Sequence, residues 1–415
     1  MASQELIMSA NVSQSTATSR SLVAALLPII GVVLVAYLVI GLAMPVLPLH
    51  VHEGLRLSTF VVGLVAGSQF AAALLSRPWA GVYADSRGPK RAVVMGLVVA
   101  VASGLFYLLS LRFVGTPASS VTILLLGRVL LGVGESFIIT GALSWGLALA
   151  GPENTGKVMS WVGTALYAAY AVGAPAGTVL YAGHGFAAIA LAATTIPLVA
   201  LLFVAPLRAA SQPPAARRPA FTKVVGAVWM PGLGVAISGV GFGAITTFIV
   251  LLFAQNGWGQ AWLALTLLSL AFIIGRVLFG HLPDRIGGAR VALVCVLIEA
   301  AGQALIWLAP WSALALAGVT LTGFGYSLVY PGFGVEAIRR APAESRGFAM
   351  GAYTAFLDLS LGLASPVLGL VAGGFGLDAV FLASALIVTC SAAVAVRLLN
   401  TRSVKHASGL EISTL

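Results

Sequence analysis

Charge is what this chain has least of. Only 8% of its 415 residues are charged and 60% are hydrophobic, with a mean hydropathy of +1.04. A soluble domain carries about 25% charged residues, so a water-facing surface cannot be built and the solvent must be lipid. Acids are scarcer than bases, 12 against 22, for a net charge of +10. Such a balance suits nucleic acid when the bases gather on one exposed face. Here they stand singly or in short groups between apolar runs, so no nucleic-acid partner is expected. The two cysteines, Cys295 and Cys390, fall inside apolar runs and give neither a disulfide framework nor metal spacing. The five histidines form no HxxxH or HExxH pattern, and His50 and His52 read as a polar loop at a helix end. GPENTGKV (151–158) nearly spells a phosphate-binding loop, but Val158 stands where the hydroxyl belongs and no strand precedes it. No enzyme, metal or cofactor is therefore expected, and the first apolar run is too long for a cleavable signal peptide.

What is abundant is long apolar sequence. Runs fall at about 22–45, 58–82, 92–112, 119–148, 158–181 and 184–205, then at 224–252, 260–281, 290–309, 311–335, 348–373 and 377–397. A spanning helix needs about 20 such residues. The count predicts an all-α membrane protein of twelve transmembrane helices. A proline-rich, basic stretch at 208–223 separates two sixes, at 21–207 and 224–398, with polar tails at 1–20 and 399–415. Apart from Arg56, Arg112 and Arg128, the basic residues fall on the side of the linker and tails. The positive-inside rule then puts both termini and the linker in the cytoplasm.

The two sixes repeat one another. RPWAGVYADSRGPKR (77–91) returns 199 positions later as RVLFGHLPDRIGGAR (276–290). The offset pairs Gly81 with Gly280, Asp85 with Asp284, Gly88 with Gly287 and Arg91 with Arg290. At an offset of 191, GRVLLGVGES (127–136) aligns with GVTLTGFGYS (318–327), and Pro175 with Pro366. A difference in one loop accounts for the slip. The halves read as a parallel repeat.

These motifs resemble the major facilitator superfamily. Gly81, Asp85, Gly88 and Lys90 match its loop signature after helix 2, with Ser86 and Pro89 departing from it. The second copy has Arg285 but Gly288-Ala289 where bases are usual. Arg128, Gly132 and Gly134 resemble the helix-4 pattern, and GAPAG (173–177) a degraded helix-5 pattern of drug:proton antiporters. The wording of LLSRPWAGVYAD, GRVLLGVG and FLDLSLG is similar to the YhhS-type, arabinose-efflux-permease-like branch. The resemblance implies two six-helix halves about a pseudo-twofold axis along the membrane normal, with a midplane substrate site reached by alternating access. It implies a monomeric inner-membrane exporter of small organic molecules, driven by protons. A proton symporter importing a sugar or metabolite is the alternative; a non-transporting sensor or an intramembrane enzyme lacks its motifs.

Ionisable groups inside spans cost about 2.5–3.5 kcal/mol each on insertion scales and are functional candidates by default. Asp358 and Glu135 are the expected proton-titrating pair. Arg128, seven residues before Glu135, is expected either to modulate it or to bind an anionic group. Trp145, Tyr167, Tyr170, Tyr326 and Tyr330 are candidates for the substrate cavity, against plain packing. Gly81, Asp85, Gly88, Lys90 and Arg91, with Gly280, Asp284, Arg285, Gly287 and Arg290, are expected to form cytoplasmic latches. Asp85 would accept from the first amides of helix 11, and the poorer second copy makes Asp85 the weightier acid. Arg77 and Arg276, about one turn from the cytoplasmic end, are expected to snorkel as anchors. Glu299 lies in a helix that is peripheral in this fold.

Overall fold

The computed structural model describes residues 26–151, 155–209, 221–341 and 346–412, without the side chains of 155–157, 221–224, 346–348 and 401–412. Among them are eleven helices long and apolar enough to cross a membrane. One, Val158–Val204, runs 47 residues, more than twice the length a bilayer needs. Gly185 breaks it with φ 65° and ψ −165°, so it makes two crossings. The spanning helices are thus α1 (Leu26–Gly54), α2 (Thr59–Arg87), α3 (Pro89–Ser110), α4 (Pro117–Ala150), α5 (155–184) and α6 (186–204). They continue as α7 (Phe221–Gln255), α8 (Ala261–Phe279), α9 (Gly288–Trp307), α10 (Ser312–Arg340), α11 (Arg346–Phe375) and α12 (Leu377–Ile412). The α5–α6 boundary falls at Gly185, two to three residues beyond the gap expected from hydropathy. α12 continues past 398, where a tail was expected. Most of the expected linker, 210–220, and the N-terminal tail lie outside the described residues.

Crossings alternate, so the α2–α3, α8–α9 and α10–α11 turns share a face with the ends that flank the linker. This is the linker face; the opposite one is the far face. Within the first six helices α2 packs on α4 and α3 on α4 and α6; within the second, α8 packs on α10 and α9 on α10 and α12. Between the sixes, α2 lies along α11 and α5 against α8.

Small residues set these approaches, as expected where lipid gives no hydrophobic drive between helices. A Cβ at Gly132 would stand 2.0 Å from the Gln69 carbonyl oxygen, and one at Gly323 would stand 2.4 Å from that of Leu268. Gly134 meets Gly96 O at 2.8 Å as Gly325 meets Cys295 O at 2.6 Å; Gly141 meets Pro89 O at 2.9 Å as Gly332 meets Gly288 O at 3.0 Å. Each second contact is the first displaced by 191 on one helix and 199 on the other. The two offsets read from sequence thus recur as helix–helix contacts.

Candidate functional site

The α2–α11 seam starts tightly at the far face. Thr59 Oγ1 donates to Gly369 O at 2.8 Å. Cβ atoms at Gly63 and Gly67 would stand 2.1 Å from Ser365 O and 2.5 Å from Gly362 O. α2 therefore descends as α11 ascends, backbone on backbone.

Nearer the linker face the seam carries charge instead. Arg77 Nε forms an ion pair with Asp358 Oδ2, the two side chains 24% and 8% exposed. The expectation that Arg77 snorkels outward gives way here. Helical side chains lean toward the N-terminus of their own helix. For α2 that direction is the membrane interior; for α11 it is the linker face. Arg77 and Asp358 therefore lean toward each other. Gly67 to Arg77 is about 15 Å of α2 and Gly362 to Asp358 about 6 Å of α11, and the inward-turned arginine covers the difference.

Glu135 projects from the middle of α4. Gln69 Nε2 donates to its Oε2 at 2.6 Å and Tyr37 Oη donates to its Oε1 at 3.3 Å. Both partners are neutral, and neither was singled out from sequence. Arg128 meets other groups: Nε donates to Val65 O at 3.1 Å, with Ala66 O at 3.4 Å and the Tyr107 hydroxyl at 3.5 Å. Val65 lies one turn before Gln69, so Arg128 braces the segment of α2 that presents Gln69 to Glu135.

The aromatic candidates separate into groups. Tyr167 stacks on Phe272 across the α5–α8 seam at 3.5 Å and sits edge-on to Tyr170 at 5.8 Å; Tyr170 in turn lies 6.3 Å from Tyr37. Tyr326 stacks on Phe242 at 5.2 Å and approaches Phe272 at 6.1 Å. Tyr330 shares a 2.6 Å hydrogen bond with Thr354, one turn before Asp358. Tyr37, Tyr170, Tyr167, Phe272 and Tyr326 thus run as a chain of rings from Glu135 into the second half. Trp145 is buried in the packed core, 2% exposed. Arg276, like Arg77, turns back along its helix, lying 5.6 Å from the centre of the Phe272 ring.

Both repeated turns close on a glycine of positive φ. Gly88 (φ 94°) and Gly287 (φ 99°) hold the left-handed geometry that lets α3 and α9 start at once. Gly280 caps α8, with a short helix, Leu282–Ile286, before α9, whereas Gly81 lies within an unbroken α2. Asp85, Arg91, Asp284, Arg285 and Arg290 are exposed. Lys90 Nζ donates to Ala205 O and Leu207 O at 2.8 and 2.7 Å, tying α3 to the end of α6. The expected contact of Asp85 with residues 346–348 falls outside the described side chains. Glu336, near the linker-face end of α10, is buried, 1% exposed. It accepts from Ala289 N at 3.2 Å and from Arg340 at 2.9 Å.

Glu299 is fully buried among α7, α9 and α10, where Ser238 donates to its Oε2. Gln303, one turn on, donates to Gly241 O at 3.0 Å. His50 stacks on Phe186 at 4.0 Å, and His52 Nδ1 lies 2.8 Å from Leu57 O. Among the described residues no group of three or more metal-ligating side chains occurs.

The family model described as Major Facilitator Superfamily matches residues 29–262 and 232–411. The chain belongs to the major facilitator superfamily. It is 43% identical over 350 residues to the uncharacterized MFS-type transporter YhhS of Escherichia coli (strain K12), covering 84% of this chain and 86% of that one. An uncharacterized MFS-type transporter of Burkholderia pseudomallei (strain 1106a) is 41% identical over 410 residues, 97% of this chain and 99% of the relative. Among solved structures the nucleoside transporter NupG superposes with a TM-score of 0.72 at 14% identity, over 90% of this chain and 99% of that chain. As a member of this superfamily the chain is a multi-pass membrane transporter that handles small molecules within the bilayer.

Proposed function

We propose that this transporter is proton-coupled and exports small organic molecules across the inner membrane by alternating access, with its linker face in the cytoplasm. The observation that carries the reading is the Arg77–Asp358 ion pair on the seam between the sixes, on the same helix as the Gln69 that holds Glu135. Protonating Asp358 removes the charge that holds Arg77, and the seam loses that ionic tie. Protonating Glu135 weakens its hold on Gln69 and Tyr37, loosening α1 and α2 from α4. Arg128 takes part by positioning, through the α2 carbonyls it grips. A carboxylate at the joint between moving bodies, backed by a second that grips the α2 side of that joint, is what coupling a proton to rocking requires.

The ring chain from Tyr37 to Tyr326 is packed shut in this conformation, and it would become a wall for a partly apolar substrate only when the sixes part, as would Tyr330 beside Asp358. The direction of transport is supported by the antiporter-like GAPAG segment, which meets α1 closely. Cβ atoms at Gly173 and Gly177 would stand 2.6 and 2.1 Å from Gly41 C and Leu42 O. The monomer is taken as the working unit, since one chain brings both carboxylates together.

The test is substrate-induced proton movement. Proteoliposomes with an imposed pH gradient are challenged with sugars, nucleosides and organic ions, and internal pH is followed. At least one compound is expected to dissipate the gradient with the wild-type protein and not with Glu135→Gln or Asp358→Asn. Transport that is equally fast without any gradient, in wild type and both variants, would overturn proton coupling.

A further inference from the structure

We infer that the linker-face end of α2 and α3 is a binding site for an anionic phospholipid, with the phosphate held by Arg87 and Arg91 and an acyl chain laid along α3. The site is a cavity of about 650 Å³ lined by Tyr83, Arg87, Lys90, Arg91, Val94, Met95, Val98 and Ala209, among others. Its floor is fixed, because Lys90 spends its ammonium on the Ala205 and Leu207 carbonyls and so holds the end of α6 against α3. Arg87 and Arg91 are both exposed. Among the described residues neither has a hydrogen bond or an ion pair. Both bases line the cavity, and none of its described lining residues is an acid. From the bases Val94, Met95 and Val98 continue toward the membrane interior, and Met95 and Val98 are 37% and 50% exposed. Basic groups at the headgroup level above an apolar strip complement a phosphodiester carrying fatty acyl chains. A free phosphate would use the bases and leave the strip idle, so the lipid is the occupant.

The repeat sharpens the assignment. At the offset of 199, Arg87, Lys90 and Arg91 become Ile286, Ala289 and Arg290. The second turn keeps one base of three and lacks the ammonium that fixes the wall. The site belongs to the first half alone, and to neither the ion-pair seam nor the aromatic chain.

The experiment uses the full chain in nanodiscs of phosphatidylcholine alone or with phosphatidylglycerol, followed by native mass spectrometry of retained lipid. Wild type is expected to retain phosphatidylglycerol selectively, and Arg87→Gln with Arg91→Gln to lower that retention roughly tenfold or more. The paired Arg87→Lys and Arg91→Lys variant is expected to keep most of it, and Arg285→Gln with Arg290→Gln all of it. Thermal unfolding in phosphatidylcholine alone checks that the double glutamine variant still folds. Equal retention by wild type and that variant would overturn the site. So would equal loss from the second-turn variant, or full displacement by millimolar inorganic phosphate.

Discussion

The two seams that join the sixes are counterparts in sequence and opposites in chemistry. On the α2–α11 seam Arg77 meets Asp358. On the α5–α8 seam the residues at the same repeat positions are Arg276 and Tyr167, and there Tyr167 stacks on Phe272 beneath an arginine. Glu135 likewise has Tyr326 as its counterpart, and Gln69 has Leu268. Where one copy places the carboxylates Asp358 and Glu135, the other places the aromatic Tyr167 and Tyr326. The backbone approaches of α2 and α3 to α4 recur in the second copy, while the seams themselves diverge. One scaffold supports an ionic seam, sensitive to protonation, and a stacked seam that depends on shape.

The difference can be broken from the ionic side first. Asp358→Asn is expected to reduce pH-gradient-driven transport at least 100-fold, while Tyr167→Phe changes it less than threefold, both read by flux in proteoliposomes. The same asparagine leaves Arg77 facing a neutral partner. Removing half of a buried pair costs about 3–5 kcal/mol, and the lower end applies because Arg77 keeps 24% of its side chain exposed. Thermal unfolding in detergent should show that loss, and Arg77→Gln added to Asp358→Asn should recover much of it without restoring coupling.

Next comes the far-face stretch of the same seam. Gly63→Ala places a methyl where a carbonyl already stands, an overpacking expected to cost about 1–3 kcal/mol. It should hold this face open, raising the reactivity of a cysteine introduced at Thr59 toward an impermeant thiol reagent. Unchanged reactivity would separate seam closure from glycine content.

The repeated turns give a smaller contrast. Asp85→Asn is expected to slow turnover roughly fivefold, the scale of a helix-terminus charge interaction of about 1 kcal/mol, and Asp284→Asn by less. The opposite ranking would dissolve the asymmetry between the turns. Smallest of all is Glu299→Gln. Its partner Ser238 can bond a glutamine, and no cation faces it among the described residues, so unfolding should occur at the same temperature or higher. A large loss would mean that the acid is needed as an acid.

Much of this was legible in the chain. Twelve apolar runs and two offsets lead to the fold, because composition and spacing encode burial directly; of the three acids inside spans, Asp358 and Glu135 were given a role from sequence and Glu299 was not. Three features were less accessible. Arg77 stands near a helix end, and distance from the end points outward; the lean of helical side chains toward the N-terminus points inward, and that lean prevails. Gln69 and Tyr37 are ordinary in an apolar run and gain meaning only when α1, α2 and α4 converge on Glu135. The α5–α6 boundary carries no polar break, so only the left-handed Gly185 marks it. Glu336 carries no signal in its own stretch of sequence, and it is buried against the start of α9 by packing between helices far apart in the chain.

The most direct test of proton control at the α2–α11 seam needs no substrate. Spin labels at Ser86→Cys and Arg339→Cys, in a chain with Cys295→Ser and Cys390→Ser, report the distance between the sixes at the linker face by double electron–electron resonance. Between about pH 5 and pH 9 the distance distribution is expected to shift in the labelled parent and to stay fixed when Asp358→Asn and Glu135→Gln are added. A distribution that shifts equally in both, or in neither, would contradict proton control of the seam.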